Sequence, residues 1–340
     1  MKRMSKLTSL VIVLLSLSNA DATIRIVSYN CENRPNNATH DARFRTIFEA
    51  IGNESVNGLA KRLDILIMSE TDTDSVVRLT NVLNNLYNVT TYTPETTSSV
   101  GGDRSGVIYD ASTVELVGTA TELPDIGTRP SLRVQFRPVG STAPNEWFYI
   151  YTAHLKSGNG SSQRQQRATE TANIRSDADN LGQGIPIIYA GDFNLFSSAE
   201  QAWDNMLDNG NGQAFDPLDR PGDWHDDAAF LRLHSQDPGG AMDDRFDFQF
   251  ITAELSDGAG IDYVQGSYHV FGNNGSHALN HHITTGSGAA SDVLAALAAA
   301  SDHLPVVADY AVVEPMTREE ILERIAELER EIARLRDMLD

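Results

Sequence analysis

The sequence predicts an α/β domain in which paired β-sheets lie between outer helices. Short runs rich in β-branched and aromatic residues indicate buried strands, and they outnumber the helical stretches that separate them. With 340 residues, 41% of them hydrophobic, the chain can form one large domain or two ordinary ones. These features exclude disorder as the main state of the protein.

Eight strands and four helices are predicted in the middle of the chain. The strand candidates are residues 24–29, 64–68, 106–109, 132–136, 147–152, 185–189, 246–251 and 305–310. The helix candidates are residues 41–51, 74–86, 163–181 and 199–207.

Charge and cysteine content restrict the classes of function. The chain has 26 Lys and Arg against 47 Asp and Glu, a formal net charge of -21, which argues against a basic nucleic-acid-binding module. A polyanionic substrate would therefore need a local basic pocket or metal ions. The single cysteine, Cys31, excludes an intramolecular disulfide and a multi-cysteine zinc site.

The first 22 residues are typical of a secretory signal peptide. Lys2, Arg3 and Lys6 precede an apolar run over residues 7–17, and Ala22 ends a small-residue cleavage site. We therefore expect a secreted or periplasmic protein whose folded domain covers residues 23–313, although an interfacial N-terminal helix is the alternative. No apolar run reaches the ~20 residues of a transmembrane helix, so no stable membrane association is expected.

Residues 314–340 differ in character from the domain. Between residues 317 and 340 there is no Gly or Pro, and Thr317 with Glu320 forms a candidate capping box. The apolar residues follow a heptad seam: Ile321, Ile325, Leu328, Ile332, Leu335 and Leu339. This spacing predicts an amphipathic, coiled-coil-like helix. Homo-oligomerisation through residues 317–340 and docking on the parent domain are both open, because three heptads are short for an autonomous coiled coil.

Polar residues capable of chemistry follow four of the predicted strands. Asn30, Glu70 and His154 each follow an apolar run, and Asp192 and Asn194 follow a fourth. One such ending is ordinary turn chemistry, but four of them indicate a site, because strand ends of α/β enzymes converge at one sheet edge.

Two further segments add a carboxylate and an imidazole. Asp302 and His303 precede the last predicted strand, and Asp247 lies inside an otherwise aromatic one. A buried carboxylate needs a partner, and His303 is the partner we expect for Asp247. Such a contact fixes the tautomer of the imidazole and raises its basicity.

Six segments together resemble the endonuclease/exonuclease/phosphatase superfamily, whose fold is that of deoxyribonuclease I. In chain order they are VSYN (27–30), IMSE (67–70), TAHLKS (152–157), GDFN (191–194), DRFDF (244–248) and SDHLP (301–305). The resemblance covers residues 24–310, and the pair GDFN and SDHLP is its most specific part. It implies a four-layer sandwich of two packed, mostly antiparallel sheets flanked by helices.

The resemblance also implies hydrolysis of phosphoester bonds with a divalent metal ion, usually Mg²⁺, with Mn²⁺ or Ca²⁺ as alternatives. The implied metal-site residues are Asn30, Glu70 and Asp302, and the implied catalytic residues are His154, Asp192, Asn194, Asp247 and His303. These residue types suit the chemistry, since hard oxygen ligands hold such metals and a histidine can accept a proton from water. Which histidine is the acid and which the base stays open.

Several other polar residues could serve the function or could simply lie on the solvent-exposed surface. Arg104, Lys156, Arg164 and Arg167 lie near the motifs and are candidates for gripping substrate phosphates, although Arg164 and Arg167 fit a solvated helix face equally well. His281 and His282 indicate a solvent loop. The cluster of Asp223, His225, Asp226 and Asp227 favours an exposed turn over a Ca²⁺ site.

The substrate prediction rests on one residue that differs from one branch of the family and on the expected export of the protein. Abasic-site endonucleases commonly have a tyrosine where this chain has His154, so the chain resembles the deoxyribonuclease, phosphatase and sphingomyelinase branches. A nuclease that acts on DNA or RNA is the leading hypothesis. A phosphoesterase acting on sphingomyelin or inositol phosphates is the alternative, with the stretch near Trp224 and Phe230 as its candidate membrane-facing loop. A noncatalytic binding module is the third hypothesis.

Overall fold

Fifteen strands and six α-helices form the part of the chain described by the computed structural model, residues 23–124, 129–313 and 318–337. The strands are β1 (Thr23–Asn30), β2 (Ser55–Val56), β3 (Leu59–Ala60), β4 (Ile65–Thr71), β5 (Tyr92–Thr96), β6 (Arg104–Asp110), β7 (Val114–Leu116), β8 (Thr121–Glu122), β9 (Leu132–Pro138), β10 (Phe148–His154), β11 (Ile187–Asp192), β12 (Asp247–Ile251), β13 (Gly260–Tyr263), β14 (His269–Val270) and β15 (Val306–Val313). The helices are α1 (Ala38–Asn53), α2 (Thr73–Tyr87), α3 (Ser161–Asp179), α4 (Gln201–Leu207), α5 (Ser291–Ala300) and α6 (Arg318–Asp337).

The strands form two large sheets and one small hairpin. The first sheet has the order β13-β15-β1-β4-β6-β5, with β14 also paired to β15, and the second has the order β12-β11-β10-β9-β7, with β8 paired to β9. Strands β2 and β3 pair with each other. Most pairings are antiparallel, but β1 with β4 and β10 with β11 are parallel. Each sheet therefore has one parallel pair at its centre, where two strands end at the same edge.

The two sheets pack face to face, and their apolar strands explain why. Strands β1 and β4 are buried along nearly their whole length, as the continuous apolar runs predict. The larger core cluster joins residues of both sheets, such as Ile26, Leu66, Ile150 and Ile188. This shared core brings the central strands of one sheet against those of the other.

Helices cover the outer faces of both sheets. Phe44 and Phe48 of α1, Leu79 of α2 and Leu297 of α5 belong to the core of the first sheet. Residues of α3 and α4 pack on the outer face of the second sheet with an aromatic group that contains Trp203, Trp224, Phe248 and Phe250. The result is a helix–sheet–sheet–helix arrangement, and it confirms the predicted four-layer sandwich.

The structure agrees with every predicted element of the domain and adds some that the sequence pattern did not indicate. All eight predicted strands and all four predicted helices are present, with small shifts at their ends. Helix α5 and the short strands β2, β3, β5, β7, β8, β13 and β14 were missed. The sequence of α5 is almost wholly apolar, so it lacks the polar face that marks an amphipathic helix.

The two predicted terminal segments lie wholly or partly outside the described residues. Residues 1–22, the predicted signal peptide, are outside them, as are Thr317 and Leu339 of the C-terminal segment. Residues 318–337 form the predicted helix α6. None of the helices in the described ranges is both long and apolar enough to cross a membrane.

A buried ion pair ties the first strand to the last. The Arg25 side chain is fully buried and donates from Nε and Nη2 to the two carboxylate oxygens of Asp309, at 2.8 and 2.9 Å. Its Nη1 donates to the carbonyl oxygens of Ile51, Glu54 and Lys61. One guanidinium therefore joins β1, β15 and the segment after α1.

We expect Arg25→Ala to destabilise the fold by about 3–5 kcal/mol, because it leaves the Asp309 carboxylate buried without its partner. The double variant Arg25→Met, Asp309→Leu should recover much of this loss, since it removes both charges. Urea unfolding followed by circular dichroism measures both effects. Equal losses in the single and double variants would contradict the role of the ion pair.

Candidate active site

The predicted site residues meet where the central strands of both sheets end. Asn30 ends β1, His154 ends β10 and Asp192 ends β11, while Glu70 lies just before the end of β4. In the second sheet the register places His154 beside Asp192 and Asp192 beside Asp247, the first residue of β12. Because the sheets pack face to face, these strand ends share one edge of the sandwich.

Unusual backbone conformations orient the side chains of Glu70 and Asn194. Glu70 lies in a bulge of β4 between Met68 and Thr71 and has a φ of 48°, and Asn194 has a φ of 50°. A positive φ is uncommon for residues other than glycine and recurs at functional sites.

Gly191 lets β11 approach β10 directly before Asp192. Its φ is 142°, and a Cβ atom there would lie 1.9 Å from the carbonyl oxygen of Ala153. Only glycine fits this close contact. The strand pairing that sets His154 beside Asp192 therefore depends on the glycine of the GDFN segment.

Three titratable side chains form the centre of the site. Ligand atoms of Glu70, His154 and Asp192 all lie within 4.8 Å of one another. His154 Nε2 is 3.3 Å from Glu70 Oε1 and 3.7 Å from Asp192 Oδ2. The Asn30 side-chain amide donates to both carboxylates, at 3.1 and 3.2 Å. The amide and the imidazole thus hold two acidic groups close together.

The pKa values of the two central carboxyl groups are shifted in opposite directions. Burial opposes ionisation of Glu70, but hydrogen bonds from His154 and Asn30 and the nearby histidines lower its pKa to about 2. Asp192 is almost fully buried, and this burial raises its pKa although His303 and His154 act against the shift. Glu70 is therefore the more readily charged of the two.

The predicted pair of Asp247 and His303 is present. His303 Nδ1 lies 2.7 Å from Asp247 Oδ2, and both side chains are buried. Burial alone would lower the pKa of His303, but Asp247 and Asp192 raise it to about 10. The other ring nitrogen, Nε2, lies 3.8 Å from Asp192 Oδ2, so the two histidines approach the same oxygen.

Asn194, two residues after Asp192, forms hydrogen bonds with the Asp192 carboxylate. Its backbone N–H donates to Asp192 Oδ1 and its side-chain amide donates to Oδ2, both at 2.9 Å. The same amide reaches the carbonyl oxygen of Leu155. Asn194 thus acts on Asp192 through direct hydrogen bonds.

Two serines that sequence reasoning did not single out position the Asp247–His303 pair. Ser235 Oγ donates to Asp247 Oδ2 at 2.7 Å and accepts hydrogen bonds from the backbone N–H groups of Phe246 and Asp247. Ser301 Oγ accepts the N–H of His303 and donates to the carbonyl oxygen of Asn30. Ser301 was visible inside the SDHLP segment, whereas Ser235 lies in a loop that no pattern marked.

The donor set at the centre fits a hard divalent cation. Glu70 and Asp192 supply carboxylate oxygens, and the buried Oδ1 of Asp302 has no hydrogen-bond partner among the described residues. Burial raises the pKa of Asp302, and the negative charge of Glu70 adds to the shift. Carboxylate and amide oxygens are the ligands that Mg²⁺, Mn²⁺ and Ca²⁺ prefer. Glu70 and Asp192 thus offer ligand atoms that suit such a cation.

The four predicted phosphate-gripping residues differ in their placement. Arg104 is half-buried and donates to the carbonyl oxygen of Thr97, Lys156 is half-buried, and Arg164 is exposed beside Asn159. These three form no ion pair with an acidic residue in the described part of the chain.

Both predicted roles of Arg167, phosphate contact and a solvated helix face, are wrong, because the side chain is buried. The side chain is fully buried, and Nε and Nη2 donate to Glu200 at 2.9 and 2.7 Å. Its Nη1 donates to the carbonyl oxygens of Lys156 and Gly158. Arg167 therefore holds the loop after β10 and cannot meet a phosphate in this conformation.

The remaining candidates fall outside the site. His281 and His282 are exposed in a loop, as expected. Trp224, the residue on which a membrane-facing loop was considered, is fully buried beside Trp203. In the acidic cluster, His225 contacts Asp244 at 2.9 Å, a partner outside the predicted set.

Comparisons with known proteins relate this geometry to solved structures. No family model and no curated protein matches the chain. Humanized D. rerio TDP2 has a TM-score of 0.57 and 17% identity over 86% of this chain and 100% of that one. An endonuclease/exonuclease/phosphatase family protein from Bacteroides thetaiotaomicron has a TM-score of 0.54 and 15% identity over 85% and 95%.

D. rerio TDP2 complexed with single strand DNA product has a TM-score of 0.54 and 14% identity over 86% of this chain and 100% of that one. At such identities the matches establish the fold. The chain has the fold of endonuclease/exonuclease/phosphatase structures, which confirms the deoxyribonuclease I-like fold that the six segments implied.

In metal-free protein we expect His303 to stay protonated up to about pH 10, because Asp247 and Asp192 stabilise its charge. A raised pKa means that this contribution to stability is full below the unfolded value near 6.5 and is lost as the pH rises through 10. NMR titration of the histidine ring signals in EDTA measures it, with the His303→Gln variant assigning the resonance.

Asp247→Asn should lower the pKa of His303, whereas the same change at Asp257, on the loop before β13, should leave it unchanged. A wild-type His303 that titrates near 6.5 would contradict the assignment of its charge to these two carboxylates.

Proposed function

We propose that this chain is a metal-dependent phosphodiesterase of the endonuclease/exonuclease/phosphatase superfamily that hydrolyses nucleic acid. The observation that carries the proposal is the convergence of two imidazoles on one carboxylate oxygen. His154 Nε2 and His303 Nε2 lie 3.7 and 3.8 Å from Asp192 Oδ2, with Glu70 beside them. This arrangement places two imidazoles and two carboxylates around one small volume.

The carboxylates of the site would supply the ligands for a metal ion. A phosphodiester is negatively charged and repels hydroxide, and a bound divalent cation supplies the positive charge that offsets this repulsion. Glu70, Asp192 and Asp302 are the residues that would hold it, while the Asn30 amide donates to Glu70 and Asp192. Their oxygen donors favour a hard cation such as Mg²⁺.

The two histidines account for proton transfer. Asp247 fixes Nδ1 of His303, so Nε2 is the atom at which this ring holds or moves a proton. His154 presents its own Nε2 to the same volume from β10. A phosphate bound between the rings would accept hydrogen bonds from both when they are protonated, and the neutral form of either ring could take a proton from an attacking water.

Two observations favour nucleic acid over lipid. D. rerio TDP2, which shares this fold, was crystallised with a single strand DNA product. Trp224 is buried and Phe230 is half-buried against the Arg220 guanidinium, so neither aromatic residue considered for membrane contact is fully exposed. Arg104, Lys156 and Arg164 provide cationic groups for phosphate contacts despite the net charge of -21.

Secretion is part of the proposal and rests on residues 1–22 alone. The charged start, the apolar run and the cleavage site at Ala22 are its support. Mass spectrometry of protein recovered from the culture medium of an expressing bacterium tests it: a mature N-terminus near Thr23 is the expected result.

The mature protein should nick supercoiled plasmid DNA in the presence of Mg²⁺ and lose this activity in EDTA. His303→Ala should reduce the rate about 10²–10⁴-fold, as expected for loss of a general acid–base group. Gel electrophoresis of the plasmid measures both, with His281→Ala, in the exposed loop, as the matched control. If folded, Mg²⁺-binding protein cleaves neither DNA nor RNA, the nuclease proposal is wrong.

The protein should bind Mg²⁺ at the site that contains Glu70. Glu70→Gln should weaken that binding strongly because it removes a charged ligand. Isothermal titration calorimetry measures the affinity. Glu254→Gln, a half-buried position outside the site, is the control. Wild-type protein that binds no Mg²⁺ through Glu70 would favour a noncatalytic binding module instead.

A further inference from the structure

Helix α6 carries an unusual share of the exposed apolar surface. Six large hydrophobic side chains are exposed in the described residues, and three of them lie on this one helix: Leu322, Ile325 and Ile332, with 52%, 47% and 42% exposure. Single exposed apolar residues are normal on a protein surface, but a row of them on one helix indicates a contact surface.

The heptad register gives this surface a defined geometry. Placing Ile325 and Ile332 at position a puts Leu328 and Leu335 at position d, and Ile321 takes the preceding d position. A β-branched residue at a with leucine at d favours a two-stranded, parallel coiled coil. The 20 described residues of α6 would span about 30 Å.

The flanking charges fit a second copy of the same helix. In a parallel dimer, each g position faces the e position five residues further along the partner helix. Residue 324 (Arg) would then face residue 329 (Glu), and residue 331 (Glu) would face residue 336 (Arg), so both kinds of pair join opposite charges.

The antiparallel alternative with full overlap is less favourable. Its two-fold axis would pass through residue 330, the midpoint of the seam from Ile321 to Leu339. Glu329 and Glu331 would each face their own copies in the partner helix. Like charges at these flanking positions oppose association.

We propose that α6 joins two copies of this chain in a parallel, two-stranded coiled coil. The occupant of the apolar seam is thus the same seam of a second molecule. Each dimer would carry two folded domains attached to the start of one helical stalk. The proposal is independent of the catalytic function, because it rests on residues 318–337 and not on the site.

Sedimentation velocity of the protein from residue 23 to 340, over a range of concentrations, should show a dimer. Ile325→Asp with Ile332→Asp places charges in the seam and should give monomer. Ala326→Asp with Ala333→Asp adds the same charges at positions b, outside the seam, and should stay dimeric. Circular dichroism of each variant checks that the domain is folded.

Charge exchange tests the orientation. Arg324→Glu should raise the dissociation constant about 3-fold or more, because it sets two glutamates against each other in the parallel dimer. Adding Glu329→Arg should restore the affinity. Residues 324 and 329 are five apart and do not face each other within one helix, so the restoration depends on the partner copy.

A monomer at all concentrations would overturn the proposal and favour docking of α6 on its own domain. A trimer would overturn the two-stranded assignment. A dimer that survives the two aspartates in the seam would show that another surface joins the copies. A dimer whose affinity Glu329→Arg does not restore would contradict the parallel orientation.

Discussion

The architecture of the site depends on keeping one carboxylate, that of Asp192, almost fully out of water. Burial of an acidic group is costly unless hydrogen-bond donors surround it. Here Asn30 donates from the first sheet, Asn194 donates from the loop after β11, and the Nε2 atoms of His154 and His303 both approach Oδ2. These donors come from different strands, so both sheets must be packed before the carboxylate is satisfied.

The same constraint explains the local irregularities around the site. Gly191 allows β11 to lie against β10, and the bulge in β4 turns Glu70 toward His154. Two buried serines position the Asp247–His303 pair. Ser235 donates a hydrogen bond to Asp247, and Ser301 links His303 to the end of β1 through hydrogen bonds. The chain thus accepts unusual backbone conformations where they bring polar groups together, as is common at functional sites.

Much of this arrangement could be predicted from sequence because strand ends carry a strong local signal. The apolar runs before Asn30, His154 and Asp192 are short, and each is followed at once by a polar residue. The contact between Asp247 and His303 followed from the cost of a lone buried charge. Contacts such as that between Ser235 and Asp247 depend on a loop conformation, which no periodic pattern encodes. Arg167 shows the same limit, since its burial against Glu200 depends on how α3 packs.

The single cysteine has a consequence for the covalent chemistry of the whole molecule. Cys31 is fully buried, and this burial raises the pKa of its thiol, so it offers no reactive thiolate at the surface. The native chain therefore has no intramolecular disulfide that could form or break as its surroundings change from oxidising to reducing. A cysteine introduced at an exposed position would be the one readily modified thiol, which makes the protein suitable for site-specific spectroscopic labelling without removal of the native residue.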